Sequence, residues 1–140
     1  MSSCEVCHLG LADGDQPYVV PMNFGHEWSG NRLILYFHCA VAGRKLDIIR
    51  RNNRACFQMD RLHQLVPGDQ ACRYSMNYES LIGSGRIEIL ADPNERIHGL
   101  QVLMRHYSGR DDWAYDRQAL AITQVLRLQA DEFCGKRLMK

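Results

Sequence analysis

Apolar residues along this chain fall mostly into short runs and alternations, with helical spacing at two places. Residues 17–24, Pro-Tyr-Val-Val-Pro-Met-Asn-Phe, read as a strand entered from the turn Asp13-Gly14-Asp15-Gln16, and residues 4–11 read as its hairpin partner. After the polar turn Ser29-Gly30-Asn31, residues 32–38 form a nearly continuous apolar run, the pattern of a central strand. Gly43 to Asn52 switches to helical spacing, with Leu46 and Ile49 on one face. Strand character returns at Ala55 to Met59, and again at Tyr78 to Leu90, where Arg86-Ile87-Glu88-Ile89 alternates. A second helix is announced by Asp92 as N-cap, Pro93 in the first turn and Glu95 three residues after the cap. Ile97, Leu100, Leu103, Met104 and Tyr107 form its apolar stripe and Gly109 its stop. A last strand is expected from about Ala121 to Ala130.

Many strands with few crossover helices predict a mostly β, antiparallel, closed or half-closed barrel rather than a doubly wound sheet. The 140 residues fit one domain, 1–140, without repeats or a linker. Seventeen basic and sixteen acidic residues give a net charge of +1, which removes the electrostatic case for a general nucleic-acid binder. No apolar run is long enough to span a bilayer. No signal peptide is visible, and six scattered cysteines do not make a disulfide framework, so reduced thiols in a cytoplasm are expected.

Three segments could carry chemistry. In Tyr36-Phe37-His38-Cys39-Ala40-Val41-Ala42-Gly43-Arg44-Lys45, a strand ends, a loop of small residues follows, and a helix opens on two cations. Free N–H groups at a helix start attract anions, and Arg44 and Lys45 reinforce that attraction; a solvated pair on an amphipathic helix is the plainer reading. In Pro17 to Gly25, Pro21 cannot donate to a ladder and marks a bulge or an edge where backbone groups could meet a ligand, or simply an edge strand. Cys4-Glu5-Val6-Cys7-His8 formally matches a c-type haem attachment motif, but a strand there would point Cys4 and Cys7 to opposite faces, and coincidence is the better reading. A zinc site would need a second ligand pair that the other cysteines and histidines do not supply, so no metal site is expected. His63, His98 and His106 read as surface residues, and Trp28 and Trp113 fall in loop-like stretches.

Taken together, Pro-Tyr-Val-Val-Pro-Met-Asn-Phe-Gly, Leu-Tyr-Phe-His-Cys-Ala, Gly-Arg-Lys-Leu-Asp-Ile-Ile and Ala-Cys-Phe-Gln-Met-Asp resemble the pyridoxamine-phosphate-oxidase-related flavoproteins. The resemblance is to the branch named for nitroimidazole resistance. Tyr78 to Glu88 and Glu132-Phe133-Cys134-Gly135-Lys136-Arg137 extend it, in order, over almost the whole chain. It implies a six-stranded antiparallel split β-barrel, a homodimer with FMN between the protomers, and oxidoreductase chemistry on a small planar acceptor such as a nitroaromatic. A non-catalytic flavin, haem or deazaflavin binder is the alternative it leaves open.

Carried over by position, the resemblance gives Arg44 and Lys45 to the FMN phosphate with backbone at Cys39 and Ala40, and Val20, Pro21, Met22 and Asn23 to the ring. His38 stands beside the flavin as the candidate catalytic residue, and Ser80 lies on a strand that reaches the other protomer's cofactor. Relatives often have serine where Cys39 stands, and usually a helix before the first strand; a weaker phosphate contact and a less covered barrel end are therefore expected here.

Overall fold

The computed structural model describes residues 1–140. Its chain order is β1 (Cys7–Asp13), β2 (Gln16–Met22), β3 (Phe24–Ser29), β4 (Arg32–Ala40), α1 (Arg44–Arg51), β5 (Arg54–Val66), a 3-10 turn (Ala71–Arg73), β6 (Ser75–Ile89), α2 (Pro93–Ser108), α3 (Arg117–Ala121) and β7 (Thr123–Leu138). One sheet runs in the order β2-β1-β5-β6-β7-β4-β3, and every neighbouring pair is antiparallel.

Two tight hairpins start the fold. Asp13 pairs with Gln16 across Gly14-Asp15, and Ser29 pairs with Arg32 across Gly30-Asn31. In both, the first central residue is a glycine with positive φ, 61° at Gly14 and 58° at Gly30. That turn conformation follows the twist of the strands it joins.

The sheet cannot lie open. β2 stands first in the order and β3 last, yet a single residue, Asn23, separates Met22 from Phe24. The two edges must therefore meet, which curls the sheet into a split β-barrel. The inward side chains form a core of eighteen buried residues, with Leu9, Phe24, Leu35, Phe37, Phe57 and Leu128 fully enclosed.

The seventh strand is the departure from the expected six. The predicted strand 17–24 is two segments: Gln16–Met22 pairs with β1, while Phe24–Ser29 crosses to pair with β4. No clean alternation marks β3, because part of it lies under α2. Gly25 approaches that helix so closely that a Cβ there would stand 2.5 Å from the Leu103 backbone. Trp28, expected in a loop, is thus a strand residue.

α2 begins and ends where its signals place it. Asp92 Oδ1 accepts from the N–H groups of Asn94 and Glu95 at 2.8 and 3.0 Å, and Gly109 closes the helix at φ 72°. Its buried side chains meet a second cluster built on Tyr36, Leu90 and Val125. β4 therefore packs on both faces, Leu35 and Phe37 inward and Tyr36 toward α2, which accounts for its continuous apolar run.

Three further expectations are corrected. β5, β6 and β7 run past the predicted ends to Val66, back to Ser75, and to Leu138. There they pair with one another outside the barrel with both faces largely exposed, so no inside-outside pattern marks them. Cys4 and Cys7 do not face opposite ways: Cys4 precedes β1, strand alternation does not reach it, and both thiols are buried. Burial pushes the Cys7 thiol up to about 12, so it stays protonated. His106 is half-buried, stacking on Phe24 at 4.5 Å and donating from Nε2 to the Cys4 carbonyl at 2.8 Å.

The seam at Asn23 is bolted by one hydroxyl. Tyr107 Oη accepts from Asn23 Nδ2 at 3.2 Å and from the Phe24 N–H at 3.1 Å, and donates to the Glu5 carbonyl at 2.7 Å. Tyr107→Phe strands the N–H of the buried Phe24. Denaturant unfolding should show a loss of about 1–3 kcal/mol; an unchanged midpoint would show that the hydroxyl does not hold the seam.

His26 lies beside this seam with its ring 5.6 Å from that of His106, and its Nδ1 is buried without a partner. Burial first, and the neighbouring His106 second, hold its pKa below the ordinary 6.5. A depressed histidine favours the fold above its unfolded pKa and opposes it once protonated, so stability should fall as the pH drops below about 6.5. In His26→Gln that fall should be shallower in melts taken from neutral to mildly acidic pH; an identical profile would remove His26 from the effect.

Candidate functional site

The barrel brings part of the predicted site to one corner, where the end of β4 meets the start of α1. Gly43 is the N-cap residue at φ 143°, a conformation suited to glycine, and it offers no capping side chain. Intrahelical bonding begins at the Leu46 N–H, 3.0 Å from the Gly43 carbonyl. The opening N–H groups of α1 thus face outward together with the side chains of its first two residues. Leu46, Ile48 and Ile49 bury the opposite face against the barrel and fix the helix in place.

Arg44 lies 5.0 Å above the Tyr18 ring of β2 and pairs with Asp13 at 3.4 Å. Asp13 also takes Arg51, two turns further along the same helical face, at 2.5 Å. Lys45 is half-buried and lies close enough to Cys39 for its charge to act on the thiol. Burial pushes the Cys39 pKa up, and the Lys45 ammonium partly opposes that shift. The corner therefore combines two cations, open helix N–H groups, a neutral thiol and the face of Tyr18, and its chemistry is that of an anion seat beside an aromatic surface.

The other predicted residues sit as follows. Val20 is half-buried and packs against the core, Met22 is buried within it, and Pro21 is exposed opposite His8 on β1. The Asn23 amide is engaged by Tyr107. On β4, Cys39 packs inward and His38 is exposed, so strand alternation turns His38 away from Lys45. Ala40 is exposed at the strand end. Ser80 is not part of this corner within one chain. It pairs with Asp60 and Lys136 in the outer part of the sheet and lines a separate hollow there.

Sequence reasoning missed Asp13, Tyr18 and Tyr107. Arg44 and Arg51 stand seven residues apart, two helical turns, and so share a face. That spacing is a signal that could have prompted a search for a common carboxylate. For Tyr107, counted only as apolar stripe, no local signal exists: its partners, Glu5, Asn23 and Phe24, are more than eighty residues away.

Comparison with known proteins agrees with the fold. The chain matches the family described as pyridoxamine 5'-phosphate oxidase over residues 1–137. It is 35% identical to a Bacteroides thetaiotaomicron protein provisionally named a 5-nitroimidazole antibiotic resistance protein; the likeness covers 96% of this chain and 77% of that one, with a TM-score of 0.80. The FAD and haem binding protein of Mycobacterium smegmatis shares the fold with a TM-score of 0.80 at 22% identity, over 99% of this chain and 68% of its own. An uncharacterised protein of Rhizobium meliloti strain 1021 is 27% identical over 103 residues, 71% of this chain, and the chain spans 58% of that relative's length. The barrel, the order of the motifs and the match over residues 1–137 converge: the chain belongs to the pyridoxamine 5'-phosphate oxidase family.

Proposed function

We propose that the protein binds FMN and passes electrons from a reduced donor to a small planar acceptor, such as a nitroimidazole or another nitroaromatic. The observation that carries this reading is the corner at the start of α1, where Arg44, Lys45 and uncapped N–H groups converge beside Tyr18 and Cys39. The residues fit the cofactor's terminal phosphate. A phosphate monoester carries about two negative charges near neutral pH, and the corner offers two cations for them. The space before the helix is open as well, since a Cβ at Gly43 would meet nothing within 4 Å.

In this reading Arg44 and Lys45 hold the phosphate, with the backbone at Cys39 and Ala40 closing the seat. Asp13 holds Arg44 and Arg51 in the absence of the anion and gives up Arg44 when it binds. Val20, Pro21, Met22 and Asn23 lie along the ring. Met22 and Asn23 act there through backbone, because one side chain is in the core and the other is held by Tyr107. When bound, FMN supplies the electron-carrying ring; the protein supplies the phosphate anchor, the orientation and the local field. His38, exposed at the end of β4, is the group that would hold a proton at an imidazole nitrogen and present it to the acceptor.

The same reading makes the protein a homodimer in which the cofactor lies between protomers and Ser80 of one chain reaches the cofactor of the other. Exposed apolar residues support an interface: Trp28, Ile82 and Phe133 are 53%, 53% and 43% exposed, and the rings of Trp28 and Phe133 stand 5.8 Å apart edge to face. A second reading, a non-catalytic binder of flavin, haem or deazaflavin, is favoured by the Mycobacterium smegmatis relative described as binding FAD and haem on this fold.

A visible absorption spectrum after loading with FMN and removing the excess tests the seat, and reduction of the bound flavin by an added donor separates the two readings, since a non-catalytic binder would hold the flavin without that reduction. The expected result is a flavin spectrum near one cofactor per chain, lost in Arg44→Ala/Lys45→Ala. A haem-type band, or flavin retained equally by the double variant, would overturn the FMN seat. His38→Ala should keep its flavin yet lower steady-state nitroaromatic reduction by about a hundredfold; unchanged turnover would take His38 out of the chemistry.

A further inference from the structure

β7 runs on past the strand that covers one of its sides. β4 pairs with it from Thr123 to Gln129, whereas β6 pairs with it as far as Leu138. From Asp131 onward, therefore, one side of β7 carries no strand, and Asp131 to Arg137 are all exposed. A bare edge is a row of free N–H and C=O groups that pairs with another extended chain unless something blunts it. The other bare edge of this region is blunted. Beyond Gln58, where β1 stops pairing, β5 is broken by a bulge at Leu62 and His63, both at positive φ, 81° and 45°. In β7 the ladder shifts only beside Ser84 and Gly85 and then runs unbroken from Glu132 to Leu138, with no proline.

The side chains of this edge match a second copy of themselves. When two identical strands pair antiparallel about a two-fold axis, the axis stands perpendicular to the sheet and each copy keeps the same face up. The register must then centre on a residue. Centred on Cys134, Glu132 meets Lys136 of the second copy on one face, Phe133 meets Gly135 on the other, and each contact occurs twice. Centred on Phe133, Glu132 would meet Cys134; centred on Gly135, it would meet Leu138. Only the Cys134 register joins opposite charges.

Both charges are free to join. Glu132 accepts from the Ser84 hydroxyl at 3.2 Å, and the Lys136 ammonium lies 5.7 Å over the Tyr78 ring, so neither has an opposite charge in its own chain. The flanking charges are already taken: Asp131 pairs with Arg54 and Arg137 with Glu79, each at 3.2 Å. Phe133, 43% exposed, gains a glycine to lie against.

We propose that two copies of this chain join edge to edge through residues 132–136 of β7, in the register centred on Cys134. The ladder between the copies supplies the hydrogen bonds, and the Glu132–Lys136 pairs select the register. The contact rests on this edge and not on the flavin reading, which asks for a dimer without fixing this surface.

The test is sedimentation of the full chain, combined with cross-linking in air by copper phenanthroline. Directly opposed residues on antiparallel strands have Cα atoms about 4.5–5.5 Å apart, within disulfide reach, so Cys134 should bond to its own copy. A covalent dimer sensitive to reductant should form. It should persist in Cys56→Ser and Cys72→Ser, the other exposed cysteines, and vanish in Cys134→Ser, which should still sediment as a dimer. Glu132→Lys and Lys136→Glu should each weaken dimerisation by about tenfold, and Glu132→Lys/Lys136→Glu should restore it. A monomer at every concentration would overturn this contact together with the dimer of the flavin reading. A dimer that gives no Cys134 cross-link, or a double variant no better than the single ones, would overturn the edge contact alone.

Discussion

Asn23 is the only residue between the two edges of a seven-stranded sheet, and most of the architecture follows from that short span. A chain that leaves β2 at Met22 and enters β3 at Phe24 has no length to cross an open sheet. The sheet curls, its inner face becomes a barrel core, and the edges that could have paired with other chains are brought together. Tyr107 then ties the seam to α2 and to the segment before β1 through three hydrogen bonds on one oxygen. With α2 fixed across β3 and β4, the end of β4 is held rigidly, and α1 starts from a defined point.

That rigidity matters for chemistry at the α1 corner. An anion seat made of N–H groups and two long cationic side chains is effective only when the backbone beneath it does not move. Leu46, Ile48 and Ile49 anchor α1 on the barrel, while Gly43 leaves its opening turn uncovered. Asp13 complicates the electrostatics: it pairs with Arg44 and Arg51, so any anion entering this corner would compete with a carboxylate already in place. The exposed Arg44–Asp13 pair, at 3.4 Å, is worth little by itself, which makes the exchange inexpensive.

What could be read from the sequence was whatever local rules control. The Gly14 and Gly30 turns, the Asp92 cap with Pro93, and the Gly109 stop each depend on a few neighbouring residues, and the structure shows them in place. The doubly buried run of β4 was legible because burial on both faces leaves little room for polar side chains. β3 was not legible: its pairing partner and its covering helix, rather than its own pattern, set its burial. The outer parts of β5, β6 and β7 were missed because a strand exposed on both faces has no hydrophobic period. Of the candidate site, Arg44, Lys45 and Cys39 come together as the motif suggested. Asp13 and Tyr18 join them through pairing across the barrel, which no local pattern encodes. His38 and Cys39 are neighbours in sequence but point to opposite faces, a consequence of the strand period that matters more than their adjacency.

In the proposed function, α1 opens on a seat for the phosphate of FMN. Phosphorus NMR of FMN during titration with the protein reports on that phosphate directly, apart from anything the ring does. The phosphate resonance should shift and broaden as the protein is added, and should stay at its free position with Arg44→Ala/Lys45→Ala. A phosphate resonance that remains that of free FMN while the ring absorbance changes would contradict it, by showing the ring held somewhere without the anchor.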